Sequence, residues 1–271
     1  MNHRVIAHRG ASARAPENTM TAFELALELG AGCVEHDLHT TKDGVLVCLH
    51  DRSLERTTDA AARFPARRPW NVDDFTMAEL RQLDAGSWFA PRFAAARIPT
   101  FDELLEWART RVGVLTELKD PEHYARRGVD LLALAEAALR RHGMLDRPRG
   151  AGLTVQSFDE PTVRRAAEAV GSIIPVVLLL EPDDTPHLSP QRLADIAAFA
   201  SGIGPGKPIV ERDPAVVDRA HTAGLRVTPW TFREANVGPL FGDVGAEMRH
   251  YIDDLAVDAV ITDHPDKFRR S

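Results

Sequence analysis

Cysteine is scarce: the 271 residues hold two, Cys33 and Cys48. Both lie in apolar, strand-like stretches and read as buried free thiols. A basic excess is missing as well. Lys and Arg number 33 against 40 Asp and Glu, a formal net charge of −7. Binding to a phosphate backbone needs the opposite balance, so nucleic acid is not an expected partner. No apolar run approaches the roughly 18 residues of a membrane span. The longest, Ile173 to Leu180, contains Pro175 and reads as a buried strand, so stable membrane insertion is not expected. The opening residues, Met-Asn-His-Arg-Val-Ile-Ala-His-Arg-Gly, lack the charged-then-apolar pattern of a leader. A cytoplasmic location is the expectation, with a periplasmic or secreted one if a leader has been removed. There is no internal repeat, low-complexity tract or dividing linker. What remains is ordinary globular composition, 44% hydrophobic and 27% charged, in a length suited to one large α/β domain or two ordinary ones.

Short β-branched runs alternate with longer amphipathic ones. Strands are expected near Arg4–Ala7, Cys33–Leu38, Gly113–Leu118, Leu153–Gln156, Ile174–Leu180, Ile203 with Ile209–Val210, Arg226–Trp230 and Ala259–Thr262. Helices are expected between them. One of these, Thr100–Arg109, has capping-box spacing from Thr100 to Glu103. About eight βα units in one chain suit a TIM-type (β/α)8 barrel. An open doubly wound sheet competes, but no G-x-G-x-x-G follows the first strand. Residues 51–98 break the alternation. They are polar, rich in Arg and Pro, and read as a small insertion after the second strand.

The stretch from Cys33 to Asp51 carries the chemistry. Side chains alternate along a strand, so Glu35 and Asp37 share a face. A cation between two such carboxylates would offset their repulsion and burial cost; a solvated strand end would also tolerate them. Asp43-Gly44 is a hairpin signal. A two-residue loop there would set Lys42 opposite Val45, His39 opposite Cys48 and Asp37 opposite His50. An odd-length loop would turn His50 to the other face. His8-Arg9-Gly10 closes the first strand. Glu117 and Lys119, on one face, close the third. In a barrel such strand ends line the catalytic mouth.

Taken together, His8-Arg9-Gly10, Pro16-Glu17-Asn18-Thr19, Glu35-x-Asp37, Thr41-x-Asp43-Gly44, His50-Asp51 and Leu54-x-Arg56-Thr57-Thr58 resemble the glycerophosphodiester phosphodiesterase family. Glu117-Leu118-Lys119, Gln156-Ser157-Phe158, Trp230-Thr231 and Thr262-Asp263 continue the match in order, over nearly the whole chain. The resemblance implies a TIM barrel with a small insertion after its second strand. It implies one divalent cation, Mg2+ or Ca2+, on Glu35, Asp37 and Glu117. It also implies His8 and His50 as acid–base pair and Arg9 and Lys119 on the phosphate. Glu17 and Gln156 would support the site, and Trp230 would form an apolar wall. The expected reaction converts a small glycerophosphodiester to sn-glycerol 3-phosphate and an alcohol.

The chain departs from the family pattern at Phe232-Arg233, followed by Glu234 and Asn236, and at Asp59–Arg63. Alternatives are a lysophospholipase D-type hydrolase or polymeric glycerol-phosphate hydrolase of the same family, a lyase leaving a cyclic phosphate, and a catalytically silent barrel acting as a binding protein. The aromatics of the insertion, Phe64, Trp70, Phe75, Trp88, Phe89 and Phe93, permit an apolar channel but more often form a local core. Oligomeric state is not legible.

Overall fold

The computed structural model describes residues 2–146, 152–183 and 188–268. Nine strands are found among them: β1 Asn2–Ala7, β2 Ala31–Thr40, β3 Leu46–Cys48, β4 Gly113–Leu118, β5 Leu153–Ser157, β6 Val176–Leu180, β7 Gly202–Pro205, β8 Arg226–Val227 and β9 Val260–Thr262. All but β3 form a parallel sheet in the order β8-β7-β6-β5-β4-β2-β1-β9. The segment after β8 closes the ring onto β9. Ile261 N–H donates to the Pro229 carbonyl at 3.1 Å, and Phe232 N–H donates to the Ile261 carbonyl at 2.9 Å. The architecture is the expected (β/α)8 barrel. No helix among the described residues is long and apolar enough to cross a membrane.

Parallel strands covered on both faces must be apolar on both, and β2 and β4 are buried at every residue. Their outer faces pack on helices such as Phe101–Ala108, whose capping box is present as expected: Thr100 Oγ1 accepts the Glu103 N–H and Glu103 returns a carboxylate to the Thr100 N–H. The inner faces show how the site is placed. Ile6, Cys33, Leu115 and Ile261 form an apolar layer inside the barrel. Two residues further along each strand, on the same face, stand His8, Glu35, Glu117 and Asp263. Each of these four strands therefore switches from apolar to ionisable one layer up, at the C-terminal mouth. Cys33 and Cys48 are buried and free.

Two expectations need correction. Ile209 and Val210 are not strand: they lie in the helix Lys207–Arg212, and β7 ends at Pro205 because Gly206 starts the turn into it. The hairpin register is off by one: β2 pairs β3 as Leu38↔Cys48, His39↔Val47 and Thr40↔Leu46. The loop holds three residues, with Thr41 N–H on the Val45 carbonyl and Gly44 at φ +78°, so the positive-φ demand falls on glycine alone. Residues 51–98 form the local core that their aromatics suggested, rather than a channel. Leu54, Trp70, Val72, Phe75, Leu80 and Leu83 form a second apolar core with Val47 and Leu49 of the hairpin.

Candidate functional site

Glu35 and Asp37 come from β2 and Glu117 from β4, whose parallel register pairs Asp37 with Glu117 directly. One oxygen of each lies within 4.8 Å of the others, and all three residues are buried. Protein cations surround Asp37. Arg9 Nε is 3.0 Å from Oδ2 and Lys119 Nζ 3.7 Å from Oδ1, while Asn18 Nδ2 donates to Oδ2 at 2.8 Å. Lys119 also pairs with Glu117 at 2.8 Å, and the Arg9 backbone N–H donates to Glu35 at 2.9 Å.

This arrangement splits the three acids electrostatically. Burial opposes ionising Asp37, but Arg9, Lys119 and the two histidines outweigh it and hold it well below the usual carboxylate range. Burial, with Asp37 and Glu117 close by, raises Glu35 well above that range. Burial and Asp37 push Glu117 up to about 7. More negative charge is thus gathered than the local cations neutralise. Asp37 Oδ1 is buried with no hydrogen-bond partner. Three hard oxygen donors with one orphaned fit a divalent cation such as Mg2+ or Ca2+.

His8 Nδ1 lies 2.6 Å from Asp263 Oδ1, and the other Asp263 oxygen meets Arg233 Nε at 3.0 Å. His50 Nδ1 lies 2.5 Å from Asp51 Oδ1. Asp51 is held by Arg56 at 2.5 Å, and Arg56 grips Glu17 through two bonds of 2.7 and 2.8 Å. Glu17 returns to Arg9 at 3.0 Å. One ionic chain thus runs from His50 to the arginine beside Asp37. Burial first, and Arg9 second, lower the pKa of His8.

His8, Arg9, Glu35, His50, Glu117, Lys119, Gln156 and Trp230 line one cavity of about 270 Å3. Asp37 and Glu17 do not line it but bind Arg9, which does. His50 reaches the cavity in spite of the register shift, because β3 ends at Cys48 and the chain has left the ladder by residue 50. Trp230 stands edge-on to Phe158 with centroids 5.5 Å apart. None of the insertion's six aromatics lines this cavity. Trp70 and Phe75 are buried in the local core, and the exposed Trp88 stands edge-on to Phe89. Sequence reasoning passed over Asn18, Asp51, Arg56, Arg233 and Asp263. All five lie in stretches already quoted, but without a role: Asn18, Arg56, Arg233 and Asp263 have partners distant in the chain, whereas Asp51 holds the adjacent His50.

Comparison with known proteins follows the same residues. The model of the glycerophosphoryl diester phosphodiesterase family matches residues 8–267. A glycerophosphodiester phosphodiesterase of Bacillus subtilis is 30% identical over 98% of this chain and 85% of its own length. The chain belongs to this family. It is therefore classed with enzymes that hydrolyse phosphoric diesters. Among solved structures, the family enzyme from Agrobacterium tumefaciens superposes with a TM-score of 0.74 at 31% identity, covering 98% of both chains. A phosphodiesterase from Oleispira antarctica, solved in complex with the product sn-glycerol-3-phosphate, superposes with a TM-score of 0.78 at 28% identity, covering 97% of this chain and 94% of its own.

Proposed function

We propose that this site hydrolyses small glycerophosphodiesters, such as glycerophosphocholine and glycerophosphoethanolamine, to sn-glycerol 3-phosphate and an alcohol, by histidine acid–base catalysis. The observation that carries the reading is a pair of imidazoles, each bonded through Nδ1 to an aspartate, on the wall of a cavity that Glu35 and Glu117 also line, both clustered with Asp37. The product held by the Oleispira relative supports the choice of substrate class.

Glu35, Asp37 and Glu117 would hold one divalent cation, which when bound supplies positive charge at the non-bridging phosphate oxygens. Lys119 and Arg9 stand at the cavity beside those acids and add fixed positive charge where negative charge accumulates on the phosphorus oxygens. A carboxylate only accepts, so Nδ1 of each histidine donates to its aspartate and Nε2 is left as the basic nitrogen. Burial keeps His8 neutral near pH 7, which suits it to take the proton from the attacking oxygen. His50, with a third of its side chain exposed beside Asp51, is assigned to give a proton to the departing alcohol oxygen. Attack by water, or by the adjacent glycerol hydroxyl with later opening of the cyclic phosphate, uses the same pair. Trp230 and Phe158 form the apolar wall, and Gln156 and Glu17 support the site.

A second reading has its own observation. A cavity of about 840 Å3 adjoins the first and shares Glu181, Trp230, Thr231 and Arg233 with it. It is large enough for an acyl chain, as a lysophospholipase D-type activity requires. The experiment is a screen of glycerophosphodiesters and lysophosphatidylcholine with added Mg2+ or Ca2+, reading glycerol 3-phosphate by a coupled dehydrogenase and free choline separately. Glycerol 3-phosphate from glycerophosphocholine is expected. Faster choline release from the acylated substrate would favour the second reading, and no release from any diester would sink both.

A further inference from the structure

His39 and Tyr124 line no part of the cavity, yet both are buried against the loop that carries His50. His39 follows Glu35 and Asp37 on the same face of β2 and is fully buried. Its Nε2 lies 3.1 Å from the His50 carbonyl oxygen and its Nδ1 2.8 Å from the Tyr124 hydroxyl. The directions follow from the partners. A carbonyl can only accept, so Nε2 donates to it. Nδ1 of the neutral ring then accepts from the Tyr124 O–H, whose oxygen accepts the Thr40 N–H at 3.4 Å.

We propose that His39 and Tyr124 are positioning residues that fix the His50 backbone, and through it the aim of the His50 imidazole. The need arises where the strand stops. β3 ends at Cys48, and the Leu49 N–H to Asp37 carbonyl bond of 3.0 Å continues the ladder one step further. Beyond it the chain turns toward the cavity, and a side-chain bond from His39 replaces the ladder at residue 50. Asp51 fixes the ring from one end and His39 fixes the main chain from the other. Tyr124 is itself held in place. It sits on the helix Pro121–Arg126, whose His123 accepts from Arg52 at 2.6 Å and donates to Asp73 at 2.8 Å, both in the insertion. The insertion thereby braces the buried pair from outside.

This inference rests on His50 taking part in catalysis, so His50→Ala is measured beside the variants. His39→Leu removes both bonds, whereas His39→Gln keeps a donor and an acceptor on a side chain of similar reach. Tyr124→Phe removes only the hydroxyl. With glycerophosphocholine as substrate, kcat of His39→Leu is expected to fall roughly 10- to 100-fold with KM little changed, the signature of a displaced group rather than lost binding. His39→Gln should recover most of that loss, and Tyr124→Phe should show a smaller fall of the same kind. The side-chain NMR signals of His50 should be single in the unsubstituted enzyme and broaden or double in His39→Leu. If His50→Ala keeps its rate, the reading beneath the inference fails first. If His50→Ala is inactive while folded His39→Leu keeps its kcat, loses only KM, or gains nothing on change to Gln, the inference is overturned. Should His39→Leu not fold, Tyr124→Phe decides: an unchanged kcat overturns the role.

Discussion

His8 and His50 meet one cavity from different environments. His8 is 8% exposed, whereas the His50 side chain is 31% exposed. Burial lowers the pKa of His8 below 6.5, so its neutral form persists to lower pH than a free imidazole allows. If His8 takes the proton, activity is lost only as pH falls through that lowered value. The acid limb of the kcat/KM profile should therefore have its midpoint below pH 6.5, and a midpoint above it would contradict the assignment. His8→Ala should lower kcat by about 10^2- to 10^4-fold and leave the melting temperature close to that of the unsubstituted enzyme. At this scale the sequence disclosed the ionisable residues through their types and spacing, as with Glu35, Asp37 and Glu117. It did not disclose their partners: Asp263 is 255 positions from His8 in the chain, and only closure of the barrel joins them.

The turn that follows β1 is the element on which most of the site depends. Arg9 has φ +55° and Gly10 φ +82°, and the Arg9 N–H and side chain both reach the acidic cluster. A methyl group on Gly10 would lie 2.6 Å from the Ala22 carbonyl carbon, inside any tolerable contact. Gly10→Ala should therefore shift the turn or the helix Met20–Glu28 and cost more than about 1 kcal/mol. A lowered urea midpoint together with lost activity is the expected result; full activity at unchanged stability would show that the turn adapts. Thr100→Ala, which breaks a capping box that does not line the cavity, should cost about 1 kcal/mol and leave kcat unchanged. Helix caps were legible because their partners are three residues apart. The hairpin register was not. Asp43-Gly44 announced a turn, but the choice between two and three loop residues was made by Val47 and Leu49 burying against the insertion's core. The insertion itself showed as a break in periodicity and its aromatics suggested a local core, but that the core includes Val47 and Leu49 of the hairpin emerged only in three dimensions.

At the scale of the whole molecule, the barrel gathers acids from β2 and β4 into a layer that the protein's own cations do not fully neutralise. A cation bound there links two strands and binds the folded state alone, so it should add stability by mass action, about 2.7 kcal/mol at a hundred times its dissociation constant. EDTA is expected to abolish turnover and lower the melting temperature, and Mg2+ or Ca2+ should restore both. Asp37→Asn should remove the metal-dependent part of the thermal shift. A melting temperature indifferent to chelator and metal would argue against an ion at this position.

The sequence by itself determined the class of fold and the inventory of reactive groups, because apolar periodicity and strand-end polarity are local properties of the chain. It determined that Glu35 and Asp37 share a face, and that His8, Glu117 and Lys119 stand at strand ends. Only the tertiary structure decided which aspartate holds which histidine, how His50 reaches the cavity from a hairpin in the unexpected register, and what braces it from behind. Those outcomes depend on contacts between segments up to 255 positions apart, and the energy of such contacts exists only once the ring of strands has closed.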